Sequence, residues 1–266
     1  MPEYVEVKIM SEFINDKVSD KRFNKFFHVE KGNIPKEDNF ITDFTVSSNS
    51  NGKELLVYLY HDVTCFSFSV FMGMSGNWKF VPTDKWSETK FVRMRLDTID
   101  GWSLLLYGGY MGPKYKLGGF TGVKRGPDLL KENGKFKSGV LDNIGCKAFD
   151  KPLGESLLNQ QYFNGVGAYL LAEILGRLDY NPHQNLNQLN KKQLEDLFDM
   201  VVRCCEESYS FGGGEIKDWQ NPFGENRIDE WLSFYGNKEE CHRHKFGKRN
   251  IWIKNKYKIK INITNV

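Results

Sequence analysis

The first residues of the chain include two groups that could act together in covalent catalysis. Removal of Met1 would leave Pro2 with a free secondary amine, which forms a positively charged iminium when it condenses with an aldehyde-like carbon. The neighbouring Glu3 could then move protons as a general acid and base. A plain processed terminus and a glutamate that stabilises a helix dipole are the competing interpretations, so these two residues alone leave the chemistry open.

A glycine-containing turn inside a helical pattern is the second candidate site. In LLNQQYFNGVGAYLLAEILGRL, at 157–178, Gly165 and Gly167 separate two apolar-periodic segments, which predicts a helix, a tight turn and a second helix. The first backbone N–H groups of a helix have no partner within it, so the N-terminus beside these glycines suits a phosphate. An ordinary helical hairpin with a glycine C-cap has the same spacing and remains an alternative.

Composition indicates a globular chain. Its 266 residues are 40% hydrophobic and 14% aromatic, enough for two modest domains with buried cores. No apolar run approaches the roughly 20 residues that span a bilayer, so we expect no membrane insertion. Five scattered cysteines suit free thiols in a reducing compartment better than a disulfide framework. The expected location is intracellular.

Several short motifs carry a resemblance to a known family. FNGVGAYLLAEIL resembles the helix-two-turn-helix motif of the formamidopyrimidine-DNA glycosylase and endonuclease VIII family, in particular its Nei-like branch. The Pro2-Glu3 pair matches the family's N-terminus, and further matches follow in the family's order along nearly the whole chain. They are Lys53 in NGKELLVYL, Gly73-Met74-Ser75-Gly76, Arg125-Gly126-Pro127, Ala148-Phe149-Asp150-Lys151-Pro152 and Arg249-Asn250-Ile251-Trp252.

The resemblance implies roles for the catalytic residues. Pro2 would attack C1′ of a damaged nucleotide, and Glu3 would protonate the sugar ring oxygen and later move protons at C2′. Glu6 would support the helix and the amine. Lys53 would reach the phosphate beside the lesion, and Met74 would enter the base stack when the damaged nucleotide is extruded. A solvated hairpin lysine and a core methionine are the alternatives for the last two.

The resemblance also implies DNA contacts from Gly165, Gly167 and Arg249, the last at the tip of a β-hairpin finger where a guanidinium can hold a phosphate. From Cys241 to Lys260 the chain carries eight basic residues and no acid, and a period of two predicts a strand with one cationic face. A solvated edge strand protected by lysines is the alternative. Only Cys241 falls in this region, so we predict a zincless finger, with no metal and no cofactor.

Three segments depart from the family pattern. Tyr4-Val5 replaces the usual small residue or leucine followed by proline, and Ala168 replaces an asparagine that contacts the lesion phosphate. Tyr110, Met111 and Gly112 stand where the family carries arginine and phenylalanine wedges. Weak discrimination among opposite bases and useful activity on single-stranded DNA are therefore expected. A mobile loop near 211–223 is expected to govern the choice of base.

The hydrophobic patterning places these residues on an α+β architecture. Residues 3–18 have the pattern of a core-facing helix, and short alternating runs from about 41 to 110 predict a β-sandwich or flattened barrel. Helical patterning dominates from about 140 to 235, with the hairpin finger behind it. The predicted domains are 1–124, with N-terminal helix and β-sandwich, a linker at 125–139, and 140–266, with helix-two-turn-helix motif and zincless finger.

The predicted function is that of a bifunctional DNA glycosylase and abasic-site lyase. By resemblance it would excise oxidised pyrimidines and ring-opened purines through a Schiff base on Pro2, followed by β,δ-elimination. An abasic-site lyase with weak base excision and a non-catalytic damage-binding module are the alternatives, and the intact Pro2-Glu3 pair argues against the second. The expected partner is damaged DNA, double- or single-stranded, and the expected state is a monomer.

Overall fold

The computed structural model describes residues 2–30, 34–38, 41–109, 112–118, 125–214, 219–224 and 226–258. The chain divides into two compact units. Unit 1 consists of Met1–Lys124 and Gly212–Arg227, and unit 2 of Arg125–Phe211 and Ile228–Val266. Two features differ from the predicted domains, since the segment 125–139 lies within unit 2 rather than forming a linker, and the chain returns to unit 1 at 212–227.

Unit 1 contains one helix and two antiparallel sheets. Its elements are α1 (Tyr4–Val18), β1 (Phe23–Glu30), β2 (Ile34–Asp38), β3 (Thr45–Asn51), β4 (Glu54–His61), β5 (Thr64–Phe71), β6 (Asn77–Pro82), a 3-10 helix (Thr83–Glu88), β7 (Val92–Thr98), β8 (Trp102–Tyr107) and β9 (Lys114–Leu117). The five-stranded sheet has the order β2-β1-β7-β8-β6 and the four-stranded sheet the order β3-β4-β5-β9.

Aromatic side chains join the two sheets of unit 1. Phe26 on β1 packs edge-on against Phe68 on β5, with ring centroids 6.2 Å apart, and Phe68 contacts Tyr115 on β9 at 6.0 Å. The predicted helix is also present, and its apolar row of Val5, Ile9 and Phe13 is buried. Burial of these faces is the main force that holds the layers together. The predicted α+β class with an N-terminal helix and β-sandwich is confirmed.

Unit 2 is largely helical and ends in a two-stranded hairpin. Its elements are α2 (Asn133–Leu141), a 3-10 helix (Lys147–Phe149), α3 (Leu153–Ser156), α4 (Ala168–Leu178), a 3-10 helix (Leu186–Gln188), α5 (Lys191–Ser210), α6 (Ile228–Trp231), β10 (Cys241–Phe246), β11 (Arg249–Lys254) and a 3-10 helix (Asn255–Tyr257). Among the described residues, no helix is long and apolar enough to cross a membrane.

The first helix of the helix-two-turn-helix motif is shorter and lies further upstream than the apolar pattern predicts. It ends at Ser156, and residues 157–167 form turns before α4 begins. The side chain of Asn159 accepts a hydrogen bond from the backbone N–H of Gln161 at 3.1 Å, and Gln160 also bonds to nearby backbone. Such local side-chain bonds compete with the helical hydrogen bonds, which explains why the apolar period misplaces the helix.

The hairpin strand is also shorter than predicted. Phe246 pairs with Arg249 and Cys241 with Lys254, after which the chain enters a 3-10 helix. Thus the cationic strand does not extend beyond Lys254 in the described residues, and Ile259, Lys260 and Ile261 lie outside them. The period of two is interrupted where the apolar side of the pattern reaches Asn255.

Candidate active site

The N-terminus of α1 holds the two predicted catalytic residues in a buried setting. Pro2 is buried, and Glu3 is only 4% exposed. Glu3 is the N-cap of the helix, and its backbone N–H donates to a side-chain oxygen of Glu6 at 2.5 Å. The Glu3 side chain accepts in turn from the Glu6 backbone, a reciprocal capping box. The predicted supporting role of Glu6 therefore has a structural basis, because Glu6 fixes the backbone beside Pro2.

Lys53 stands on a tight hairpin between β3 and β4. Asn51 pairs with Glu54, so Gly52 and Lys53 alone form the turn, and the φ of 57° at Gly52 is that of a type II′ turn with glycine in first place. The polar sequence SSNSN at 47–51, which leads into this turn, belongs to β3.

Hydrogen bonds tie this hairpin to α1. The backbone N–H of Ser48 on β3 donates to Oδ1 of Asn15 at 2.7 Å, and Nδ2 of Asn15 donates to the Ser48 carbonyl at 3.0 Å. The hydroxyl of Ser48 also donates to the carbonyl of Ser11 at 2.8 Å. Since α1 begins at the Pro2-Glu3 pair and β3 leads directly to Lys53, these bonds fix the hairpin relative to the helix that carries the candidate nucleophile.

The returning segment Gly212–Gly214 packs beside the same helix end, a feature that the sequence patterning missed. All three glycines have positive φ, at 86°, 62° and 80°. A Cβ on Gly213 would lie 2.7 Å from a carboxylate oxygen of Glu6 and 2.7 Å from Val5, so only glycine fits there. The run of three glycines in the sequence was the signal that could have revealed this segment. Its contacts with Glu6 and Val5 show that the start of the predicted base-selecting loop lies next to the capping box.

Met74 lies in a tight turn between β5 and β6 and is 44% exposed. Gly73 has a φ of 61°, and the Gly76 N–H donates to the Met72 carbonyl at 2.8 Å. This exposure excludes the alternative of a core methionine. A Cβ on Gly108 would lie 2.8 Å from the Ser75 carbonyl, so the turn abuts the chain that leads towards Tyr110 and Met111. Those two predicted wedge positions lie outside the described residues.

The glycine turn of unit 2 is held by one glutamine. Gln160 accepts from the N–H of Gly165 at 3.0 Å through Oε1, and its Nε2 donates to the Val166 carbonyl at 3.0 Å. Gly165 has a φ of 117°, which favours glycine. Gly167 is the N-cap of α4 and, as a glycine, has no side chain with which to cap the helix. The Gly165 N–H already donates to Gln160, and the phosphate contact at these glycines stays a prediction.

Arg125 and Asn164 fasten this turn to the beginning of unit 2. Asn164 is fully buried, its Nδ2 donates to the Gly126 carbonyl at 2.8 Å, and its Oδ1 accepts from Arg125 at 3.3 Å. A Cβ on Gly126 would lie 2.3 Å from the Gln161 carbonyl oxygen. The Arg125-Gly126 motif therefore positions the turn through close backbone approach.

A cavity at the tip of the β10–β11 hairpin is distinguished by the charges of its lining residues. It measures about 560 Å³ and is lined by Lys151, Glu155, Lys248 and Arg249, among others. Lys151 forms an ion pair with Glu155, and Arg249 is exposed. Three basic side chains against one acid give this cavity a net positive charge suited to an anion.

A buried carboxylate on α4 organises the segment that precedes the hairpin. Glu173 is fully buried, and its Oε1 accepts from the backbone N–H groups of Ser233, Phe234 and Tyr235 at 3.0, 2.8 and 3.0 Å. Its Oε2 accepts from Arg177 at 3.3 Å. One side chain therefore satisfies three consecutive backbone donors, which fixes the path of the chain from α6 towards β10.

Glu207 on α5 extends this network. It accepts from Arg177 at 2.5 Å, from the indole N–H of Trp231 at 2.9 Å and from Arg203 at 2.6 Å. Burial raises the pKa of Glu207, but the hydrogen bonds from Arg203, Trp231 and Arg177 outweigh it and bring the pKa to about 2. Because the folded pKa is depressed, the stabilisation is fully present above the ordinary carboxyl pKa and is lost as the pH falls towards 2.

Two lysines of the predicted cationic face form ion pairs with a carboxylate of the same unit. Lys254 and Lys256 both form ion pairs with Asp179, the left-handed residue that ends α4. The phenol of Tyr257 donates to the Asp179 carbonyl at 2.6 Å. The hydrogen bonds from Lys256 and Lys254 lower the pKa of Asp179 to about 2. These contacts attach the end of the hairpin to α4, so both lysines have a structural part, and the cationic face as a DNA contact stays a prediction.

The same hairpin, β10–β11, is where a zincless finger is predicted. Within the described ranges, no group of three histidine, cysteine, aspartate or glutamate side chains has metal-binding geometry. Burial raises the pKa of the Cys241 thiol, which disfavours the thiolate that a metal would require. The zincless finger stays a prediction.

No protein-family model matches the chain. Among curated proteins, Endonuclease 8-like 1 of Homo sapiens is 28% identical over 279 residues, which cover 89% of this chain and 68% of the relative. Its Mus musculus counterpart is 31% identical over 202 residues, which cover 69% of this chain and 49% of the relative, so the chain spans about half of that length. Endonuclease 8 of Pectobacterium atrosepticum is 26% identical over 219 residues, with 80% of this chain and 81% of the relative covered.

The complex between the Lactococcus lactis Fpg and an abasic site containing DNA has the same fold. It superposes with a TM-score of 0.77 at 17% identity and covers 97% of this chain and 100% of its own. The sequence and structural matches agree on one family. The chain belongs to the formamidopyrimidine-DNA glycosylase and endonuclease VIII family.

Within this family's site, the structure groups the predicted residues by unit. In unit 1, Pro2 and Glu3 stand together at the start of α1, Lys53 lies on the hairpin bonded to that helix, and Met74 occupies an exposed turn. In unit 2, Gly165 and Gly167 form the turn before α4, and Arg249 follows the hairpin tip. Their individual roles stay predictions.

Removal of the Glu173 carboxylate should strongly destabilise this family member. Glu173→Ala leaves three backbone N–H groups without this acceptor and removes one of the two carboxylates that bind Arg177, which should lower the free energy of unfolding by about 3–5 kcal/mol. Glu173→Gln retains one acceptor oxygen and should cost less. Urea denaturation measures both, with exposed Glu195→Ala on α5 as the matched control. A loss below about 1 kcal/mol for Glu173→Ala would show that the network is dispensable.

Proposed function

We propose that the protein is a bifunctional DNA glycosylase and abasic-site lyase of the Nei-like branch, acting on oxidised pyrimidines and ring-opened purines. Family membership supports a DNA repair glycosylase, and the Endonuclease 8-like 1 relatives favour the branch. The observation that carries the proposal is the buried Pro2-Glu3 pair at the start of α1, with the Glu3 backbone fixed by Glu6.

The chemistry would proceed on the α-amine of Pro2 once Met1 is removed. The amine nitrogen attacks C1′ and a nitrogen–carbon bond forms, the bond to the damaged base breaks with its electron pair going to the base, and the proton that the amine loses neutralises the departing base. Glu3 protonates the ring oxygen, and the opened sugar becomes an iminium. Loss of a C2′ proton then expels the 3′ phosphate. A second elimination expels the 5′ phosphate, leaving phosphate at both ends of a one-nucleotide gap.

DNA would be held by contacts from unit 1 and by contacts from unit 2. In unit 1, Lys53 and Met74 stand on turns, where their side chains can reach a phosphate and a base stack. In unit 2, the basic cavity beside Arg249 suits a phosphate, and the start of α4 after Gly167 is proposed to contact another. Both duplex and single-stranded damaged DNA are proposed as substrates, with the protein acting as a monomer.

Borohydride trapping tests the proposed reaction. The protein is incubated with a duplex bearing an oxidised pyrimidine or an abasic site, and the iminium is reduced to a stable amine. A covalent complex with both substrates, together with 3′- and 5′-phosphate products, is expected. Absence of any trapped complex would exclude the Schiff-base mechanism.

A second candidate function is an abasic-site lyase that excises bases poorly. Ala168 favours it, because the first residue of α4 lacks the amide that the family pattern uses to contact the lesion phosphate. Loss of one such hydrogen bond should cost about 1–3 kcal/mol. Trapping with the abasic site alone, and not with the oxidised base, would select this function.

The salt dependence of DNA binding should separate phosphate contacts from structural lysines. Arg249→Ala and Lys53→Ala should each lower the slope of log K against log salt by about one, because one released counterion is lost with each contact. Lys254→Ala is the matched control on β11, and its slope should not change because Lys254 pairs with Asp179. Equal slopes for all variants and the wild type would place Arg249 and Lys53 away from DNA.

A further inference from the structure

A mixed aromatic and charged cavity in unit 1 lies beside the turn that carries Met74. Its volume is about 410 Å³, within the range of small-ligand sites. Residues of the 3-10 helix Thr83–Glu88 and of the Met74 turn contribute to its lining. Its lining includes Ser75, Lys79, Glu88, Lys90, Phe91 and Tyr107.

Phe91 is the unusual residue of this cavity. Its φ of 59° lies in the left-handed region, which bulky L residues rarely adopt, and its side chain is 57% exposed. The Phe91 carbonyl accepts from the Gly108 N–H at 3.1 Å, which holds the strained turn. Folding alone does not account for an aromatic here, since glycine would relieve the strain and a polar side chain would suit the exposure. Strained backbone of this kind is concentrated at ligand sites.

The surroundings make this ring a firm platform. A Cβ on Gly109 would lie 3.5 Å from the Phe91 ring, so the backbone packs directly against it. The preceding 3-10 helix is fixed through Trp86, because the Arg95 guanidinium lies 4.7 Å from the Trp86 ring centroid and donates to Asp97. A preorganised ring loses little conformational freedom when a planar ligand stacks on it.

The charges of the cavity suit a nucleotide. The Lys79 ammonium lies 5.1 Å above the Tyr107 ring, and Lys90 is exposed at the rim, so two cations are available for a phosphate. Glu88 supplies a carboxylate that can accept from base amino groups. An aromatic face beside cations is the combination that binds unpaired bases with little regard to sequence.

The position of the cavity selects which nucleotide this would be. Ser75 lines it and follows Met74, so the cavity begins one residue from the side chain proposed to enter the stack. A wedge that replaces an extruded nucleotide lies against the base that has lost its partner. We propose that the cavity binds the unpaired base opposite the lesion, stacked on Phe91, with its phosphate held by Lys79 and Lys90. This assignment rests on the proposed function.

Fluorescence and binding measurements test the assignment. The probe is a duplex with an abasic-site analogue opposite 2-aminopurine, compared with the single strand that carries the analogue alone. With wild-type protein, 2-aminopurine emission should rise as the base leaves its neighbours. Phe91→Gly, which relieves the backbone strain, should reduce that rise and weaken duplex binding about tenfold, with single-strand binding unchanged. Phe91→Trp should retain duplex binding.

The control is Ile99→Ala, which removes another exposed apolar side chain, 60% exposed, between β7 and β8. It should match the wild type in both assays. Equal duplex affinity and emission for Phe91→Gly and wild type would overturn the cavity assignment, as would equal loss on duplex and single strand. Failure of the wild type to bind or be trapped by either DNA would instead overturn the proposed function, and the cavity assignment with it.

Discussion

An uncleaved N-terminal tag should abolish the covalent complex with DNA and lower activity by at least about a thousandfold. The proposed nucleophile is the α-amine of Pro2, and a tag converts this amine to an amide whose lone pair is delocalised. The buried position of Pro2 strengthens the expectation, because additional residues would also disturb the start of α1. Trapping with an abasic duplex, before and after removal of the tag, measures the effect.

The control places the same tag at the C-terminus, where it should leave trapping intact. Pro2→Gly keeps an N-terminal amine and should retain some trapping, since a primary amine still forms an imine. Full activity of the N-terminally tagged protein would refute the assignment of Pro2. Urea denaturation of each form shows whether its fold is unchanged, which separates loss of the nucleophile from loss of structure.

The local parts of the fold were predictable because their burial follows a simple period. Val5, Ile9 and Phe13 indicate α1, and the apolar runs LLVYLY at 55–60 and SLLLY at 103–107 lie within strands β4 and β8. The same reasoning fails at Asn159 and Gln160, whose side chains bond to backbone and replace the first predicted helix with turns. Periodicity records which face is apolar and does not record such competition.

Ion pairs between residues far apart in sequence could not be predicted from the charge pattern. Lys254 and Lys256 have the spacing of a phosphate-tracking face, yet both pair with Asp179, which is 75 and 77 residues away in sequence. The return of Gly212–Gly214 to Glu6 is likewise a contact between distant segments. Charge and glycine patterns drew attention to these residues, but the partners of these residues depend on tertiary folding.

The capping box raises a question that one substitution can answer, because Glu3 has both a structural and a proposed catalytic part. Glu3→Gln keeps an acceptor for the Glu6 backbone N–H, so α1 should remain capped. It removes the acid, and base release demands that acid most. Excision of an oxidised pyrimidine should therefore fall about 100-fold or more, whereas cleavage at a preformed abasic site should fall less than about tenfold.

Single-turnover rates on the two substrates measure this division of roles. Glu6→Gln is the matched comparison, since Glu6 accepts from the Glu3 N–H and is proposed to act only by positioning. Its effect should be similar on both substrates, because a displaced Pro2-Glu3 pair impairs every step that uses the amine. Equal losses on the two substrates for Glu3→Gln as well would mean that Glu3 acts through the cap alone and that another group protonates the sugar.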